Sequence, residues 1–379
     1  MKRIWKLAAV TAGGAAAAAL SALPASAAAT THAAPGQSHA VFVQTDNTGG
    51  NTIVAYDRTA AGGLQQVGSY PTGGDGGQLT GSVVDHLSSE GSLAYDRQAG
   101  LLYAVNAGSN TITVFRVLGD QLVRSQVISS GGQFPVSITV HGHQVFVLNA
   151  LGGASVSGFV QSGGRLIAQP SWQRDLGLGT TSATVFTGTP GQIAFTPDGS
   201  HLVVTTKGAA NTVDVFRAGP SGLSADPAVT SLPGQVPFGF TFDSYGHLVI
   251  AETGTDTVAT FTIARDGTLT QLGSAATGQA ATCWITASPA GTLYASNAGS
   301  GTESALRTQP DGTVTLLGST ATDAGTVDAA ASSDGQYLYV QAGGPGNVDA
   351  YRINPDGSLT QTGSVTVPGA AGGEGIVAP

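Results

Sequence analysis

Seven times along the chain a run of three to five β-branched, aromatic or small apolar residues ends in a polar one. The stretch Leu101 to Arg116, LLYAVNAGSNTITVFR, is the clearest copy: an apolar strand, Asn106, a Gly-containing turn and a second strand. Equivalent runs end at Gln44, Asn149, Thr206, Glu252, Asn297 and Gln341. After each comes a Gly-rich or Asn-rich loop and a strand of the kind Thr111-Ile-Thr-Val-Phe115, whose alternation sends one face inward and one outward. A hairpin turn then precedes a further strand, as at Asp266-Gly267, Asp311-Gly312 and Asp356-Gly357, where glycine supplies the positive φ that such turns need.

Turns such as Pro197-Asp-Gly and Ser333-Asp-Gly close one more strand in each unit. Four short strands repeated at a period of about 45 residues predict an all-β, seven-bladed propeller of four-stranded blades. A β-sandwich has no need of sevenfold self-similarity. The first unit opens directly on Val41 without an innermost strand of its own. The last residues, Gly373-Glu-Gly-Ile-Val-Ala-Pro379, align with the innermost strands elsewhere, so they are expected to pair beside Val41 to Gln44 and close the ring. Two insertions break the period, at 73–91 and 171–189.

The amino-terminal residues read differently. Lys2, Arg3 and Lys6 precede an Ala/Leu/Val run and the small triplet Ala25-Ser26-Ala27. This pattern predicts a secretory signal peptide over 1–27, a flexible tail over 28–39 and the propeller over 40–379. The apolar run is too short and Ala-rich for a membrane anchor, so a secreted, extracellular protein with no membrane span after cleavage is expected. Without those three cations, 11 of the 14 Lys and Arg remain against 23 Asp and Glu, a net charge of −12. That balance argues against nucleic acid and anionic membranes as partners. Cys283 is the only cysteine, so no internal disulfide can form. A monomer is expected.

The strings YAVNAGSNTITVF, FTPDGSHLVVTTKGAANTVDVF and TCWITASPAGTLYASNAGSGT resemble the lactonase-family seven-bladed propellers, which include 6-phosphogluconolactonases and carboxymuconate cyclases, and most of all their secreted bacterial members. The resemblance spans about residues 40–379 and implies hydrolysis of a small sugar-acid or related lactone. Enzymatic members carry a Gly-Pro-Arg-His stretch at one inner strand and an Asn-Glu pair after a second strand. Here Gln192 stands where the His falls, and Thr206-Lys207 where Asn-Glu falls. Glutamine does not shuttle protons near neutral pH, so the family chemistry does not transfer residue for residue.

Candidate site residues follow from position. The polar residues after the second strands, Gln44, Asn106, Asn149, Thr206, Glu252, Asn297 and Gln341, occupy one blade-equivalent place that converges near the channel mouth. A second set stands at the start of the innermost strands: Ser92, Ser137, Gln192, Gly239, Trp284, Asp328 and Gly375, with Glu374 beside the last. His86, next to Asp85, is the one histidine clear of both the leader and the turns.

Three readings stay open. A lactone hydrolase would use Glu252 as general base with Lys207, Asn149 and Gln192 polarising the carbonyl. A non-catalytic propeller would bind a glycan, peptide or cell-wall partner outside the cell. An ion-holding propeller would set Ca²⁺ at Glu252 with the amide oxygens of Asn106, Asn149 and Asn297.

Overall fold

The computed structural model describes residues 39–379; the leader expected over 1–27 and all of the tail but His39 lie outside the described residues. Seven antiparallel sheets follow one another around a ring, and the inner strand of each packs beside the inner strand of the next. In a representative blade the strands run outward from the axis as Thr282–Ala287, Thr292–Asn297, Thr302–Thr308 and Val314–Ala321. The second and third strands are buried almost throughout, because each lies between two neighbouring blades, whereas the outermost strand is mostly exposed or half-buried.

Between the blades the side chains of facing strands interdigitate into separate apolar cores. Phe42 and Ile53 of the first blade pack with Leu102 and Phe115 of the second. Val249 and Val258 of the fifth pack with Leu293 and Leu306 of the sixth. Adding a blade therefore adds a core, which lets a chain of this length fold around one axis.

The ring closes as the end of the sequence implies. Ile376–Val377 forms the inner strand of the first blade and pairs antiparallel with Ala40–Gln44, with Phe42 opposite Val377 and Val43 opposite Ile376. Ile376 is buried among Val41, Val43, Ala330 and Tyr339, so it holds the last blade to the first.

The outer hairpins repeat the turn chemistry read from the sequence. Asp266, Asp311 and Asp356 each accept the amide two residues on through Oδ1, at 3.0, 2.9 and 3.0 Å, while the following glycine takes φ of 92°, 82° or 90°. The fourth blade differs from the expected pattern. Its outermost strand is split into Gly222–Leu223 and Ala228–Ser231. Pro227, which lacks an amide donor, stands at the break.

A bulge recurs between third and fourth strands, for example between Ala305 and Leu306 and between Ala350 and Tyr351. The residue it leaves unpaired touches the hairpin of the next blade: Ser125 Oγ donates to the Gly164 carbonyl at 2.9 Å and Thr362 Oγ1 to the Gly62 carbonyl at 3.2 Å. Leu272 packs on Gly312 in the same manner.

Truncating the closing strand's anchor tests how much of the fold depends on it. Ile376→Ala is expected to lower the unfolding free energy by about 2–5 kcal/mol in urea titration, the usual cost of a cavity at a buried isoleucine. A loss below about 1 kcal/mol would show that other contacts close the ring.

Candidate functional site

The first insertion decides the shape of the site. Leaving the outer strand of the first blade, residues 73–91 run inward and fill the axis on the face where the inner strands begin. Val84 lies over Gly325 and Gly343 of the seventh blade, and the His86 ring packs on Gly372, where its backbone amide donates to the Gly372 carbonyl at 2.8 Å. Trp284 Nε1 donates to the Ser89 carbonyl at 2.6 Å, Ser137 Oγ to the Glu90 carbonyl at 2.6 Å, and the Glu90 amide to the Gly191 carbonyl at 3.1 Å. Gly239 is required by this approach, since a Cβ there would stand 2.0 Å from Glu90 Oε2. The second insertion lies over the first: Thr80 bridges Val185, and the Phe186 amide donates to the Thr80 carbonyl at 3.0 Å.

Lys207 ties the two insertions to the fourth blade. Its ammonium donates to the Ser88 carbonyl, to Ser88 Oγ at 2.9 Å and to the Phe186 carbonyl at 2.9 Å, and it sits 4.9 Å from the centre of the Phe238 ring. Burial pulls its pKa down to about 7, opposed by the charge of Asp85.

The channel is thereby a cup closed at one end. It offers about 370 Å³ that opens widely to solvent, with Glu90, Gly91, Gln192 and Asp328 at its base. Its wall is made by Thr286, Ala287 and Ala329 to Ala331, and its rim by Tyr95, Arg97 and the carboxyl-terminal residues 376–379.

Carboxyl groups crowd this base. Glu90 Oε2 accepts the Ile285 amide at 3.2 Å. Asp328 accepts the amides of Ala329 and Ile376 at 2.7 and 3.2 Å. Behind them, Glu374 accepts the Ser92 amide at 3.3 Å and Asp46 accepts the Glu374 amide at 2.9 Å. Asp85 takes the amides of Leu87 and Ser89, each at 2.8 Å.

Removal from water raises every one of these acids, and their mutual repulsion adds to it. Asp328 is pushed up to about 7 by burial and by Asp85, against its two amide donors. Burial and the charge of Asp328 lift both Glu90 and Glu374 well above the usual carboxylate range. Asp46 rises to about 8, and burial takes Glu303, on the third strand of the sixth blade, to about 8 also.

The expected site residues fall into two groups. Those at the start of the inner strands meet around the axis: Gln192 Oε1 accepts the Phe240 amide at 2.5 Å while its side chain lines the cup beside Asp328, and Trp284 and Glu374 lie against the insertion and its flank. Most of the residues after the second strands instead turn back into their own blades. Asn106 Nδ2 donates to Thr111 and Thr113, Asn149 Nδ2 to Ser155 and Ser157, and Asn297 Nδ2 to Thr302 and Ser304. Thr206 pairs with Thr212, and Glu252 Oε2 accepts Thr257 Oγ1 at 2.7 Å. These side chains clasp the second strand to the third, and Glu252, Asn106, Asn149 and Asn297 are not gathered into one oxygen cage. Among the described residues no group of three or more His, Cys, Asp or Glu side chains is disposed to hold a metal ion.

Gln44 and Gln341 are the exceptions in that ring. Gln44 Nε2 donates to Asp46 Oδ1 at 2.6 Å, and Gln341 Nε2 to the Gln44 carbonyl at 3.1 Å. Sequence reasoning missed Glu90, Asp46 and Glu303. The signal for Glu90 was its place two residues before Ser92, one of the inner-strand starts.

The chain matches the family described as Lactonase, 7-bladed beta-propeller, over residues 176–286 and 251–374. Comparison with curated proteins gives no match. Among solved structures it is similar to a Lactobacillus plantarum protein at 20% identity and TM-score 0.71, covering 90% of this chain and 99% of that one. The periplasmic gluconolactonase PpgL of Pseudomonas aeruginosa follows at 17% identity and TM-score 0.68, covering 89% and 98%. A candidate 6-phosphogluconolactonase of Bacteroides fragilis is similar at 19% identity and TM-score 0.67, covering 90% and 98%. At these identities the likeness is one of fold.

The buried acids make stability depend on pH in a definite direction. A carboxyl raised on folding stabilises fully below its unfolded pKa, and that contribution is lost as pH rises through the folded value. For Glu303 the window runs from about 4.5 to about 8. Lys207, lowered, acts oppositely only above about 7. Unfolding free energy is therefore expected to fall between pH 5 and 8 in urea titrations, and Glu303→Gln to flatten that slope by at most about 1.4 kcal/mol per pH unit. An unchanged slope in the variant would show that Glu303 is ionised in the folded protein.

Proposed function

The chain belongs to the lactonase family of seven-bladed β-propellers, and on that premise we propose that it hydrolyses a small lactone inside the closed cup. The observation that carries the reading is the pair of acids at the base, Asp328 and Glu90, which line one cavity together with the Gln192 side chain. The charge of Asp328 raises the proton affinity of Glu90, so the two are not readily ionised together, and one carboxylate with one carboxylic acid divide the roles of base and acid.

Near neutral pH Asp328 is partly ionised and takes a proton from water as the water oxygen attacks the lactone carbonyl carbon. Glu90, protonated while Asp328 is ionised, hydrogen-bonds the carbonyl oxygen as negative charge gathers there, and transfers its one proton to the ring oxygen as the C–O bond breaks. The Gln192 amide lies beside both and orients the carbonyl. The acyl product leaves as the open-chain hydroxy acid. Of the residues first singled out for catalysis, Gln192 keeps that role in this reading. Lys207 acts through the insertion it holds, and Glu252 through its blade.

An exported location is part of the same proposal. It is supported by the residue pattern of 1–27 and by the likeness to a periplasmic gluconolactonase. No helix among the described residues is long and apolar enough to cross a membrane.

Asp328→Asn is expected to lower lactone hydrolysis by at least about 100-fold, measured as acid release at constant pH, with folding checked by circular dichroism. The wild-type rate should rise with pH through about 7 as Asp328 ionises. Full activity in Asp328→Asn together with loss in Glu252→Gln would move the chemistry to the ring after the second strands. No turnover across a lactone panel, with a ligand-dependent rise in melting temperature, would favour the binding propeller instead.

A further inference from the structure

We infer that the cup admits uncharged lactones and turns away phosphorylated or carboxylated ones. The inference rests on the lactone-hydrolase reading and adds the class of substrate. Binding a phosphate or carboxylate takes either a guanidinium or ammonium partner or a cluster of free backbone amides. The base of the cup offers neither.

Five amides around it are committed to resident acids. Ile285 donates to Glu90, Ala329 and Ile376 to Asp328, Ser92 to Glu374, and Glu374 to Asp46. An incoming anion therefore meets carboxyl oxygens where an anion site presents N–H groups. The buried ammonium of Lys207 is turned to the Ser88 and Phe186 carbonyls on the far side of the insertion. The cationic residue of the cup is Arg97, exposed at the rim, where solvent screens its charge.

The same groups suit a neutral polyol. Protonated and ionised carboxyls and the Gln192 amide together donate to and accept from hydroxyls, while Ala287 and Ala329 to Ala331 give a wall of small apolar surface. A second anion among these acids also raises their repulsion, which would hold Asp328 protonated and remove the base.

The test compares an aldono-1,5-lactone with its 6-phosphate on the full protein. The neutral lactone is expected to show a kcat/KM at least about 100-fold higher, the size of a like-charge penalty in a confined site. Equal or faster turnover of the phosphate ester overturns the inference while leaving the hydrolase reading intact, and loss of that turnover in Arg97→Ala would identify the rim as the anion site. If neither ester nor parent is hydrolysed, the hydrolase reading fails and thermal shift decides the selectivity. A rise in Tm with the neutral lactone alone sustains it, and a rise with the phosphate ester overturns it.

Discussion

The arrangement depends on a cost: seven inner strands begin around one axis, and whatever the chain places there leaves water. Here the chain places Glu90, Asp328, Glu374, Asp85 and Asp46, with one ammonium, Lys207, among them. Ionised carboxylates packed so closely in a dry site are untenable, so backbone amides are aimed at them and their proton affinities rise until several are neutral. The propeller supplies Ile285, Ala329 and Ile376 from its inner strands, and the insertion supplies Leu87 and Ser89. The proposed acid–base pair and the proposed exclusion of anions both rest on that single concentration of acid.

The insertion and the ring have complementary parts in this. Without residues 73–91 the axis would be an open tube lined by strand ends, and water would pass from face to face. With them, Ser89 and Glu90 occupy the base and the channel keeps one mouth. Lys207 shows why the insertion stays. Its three donors reach both inserted segments, at a site where a lysine is otherwise expensive to bury.

The architecture was legible because it is periodic. Strand, polar residue, loop and Asp-Gly hairpin recur, and the orphan strand at Ile376–Val377 followed from counting. The position of the polar ring was equally legible, but the direction of its side chains was not. Asn106, Asn149 and Asn297 turn outward because hydroxyls five to eight residues on, such as Thr111 and Ser157, lie within reach across the hairpin. That partnership is written in the sequence as alternate Thr and Ser at the start of the third strands. Gln192 and Asp328 were placed correctly among the inner-strand starts because those residues share the repeat's register. Glu90 escaped because it sits in an insertion with no repeat to compare it against, and its place two residues before Ser92 was the one signal that it approaches the axis.

The chain connectivity around that insertion makes its contacts span much of the sequence. Ser89 finds Trp284 and Ser92 finds Glu374 across 195 and 282 residues, and both partners belong to blades made long after the insertion itself. Six blades follow residues 73–91 in the chain, so seating them closes long loops. Burying Glu90 at the axis raises its proton affinity, which couples that closure to proton uptake.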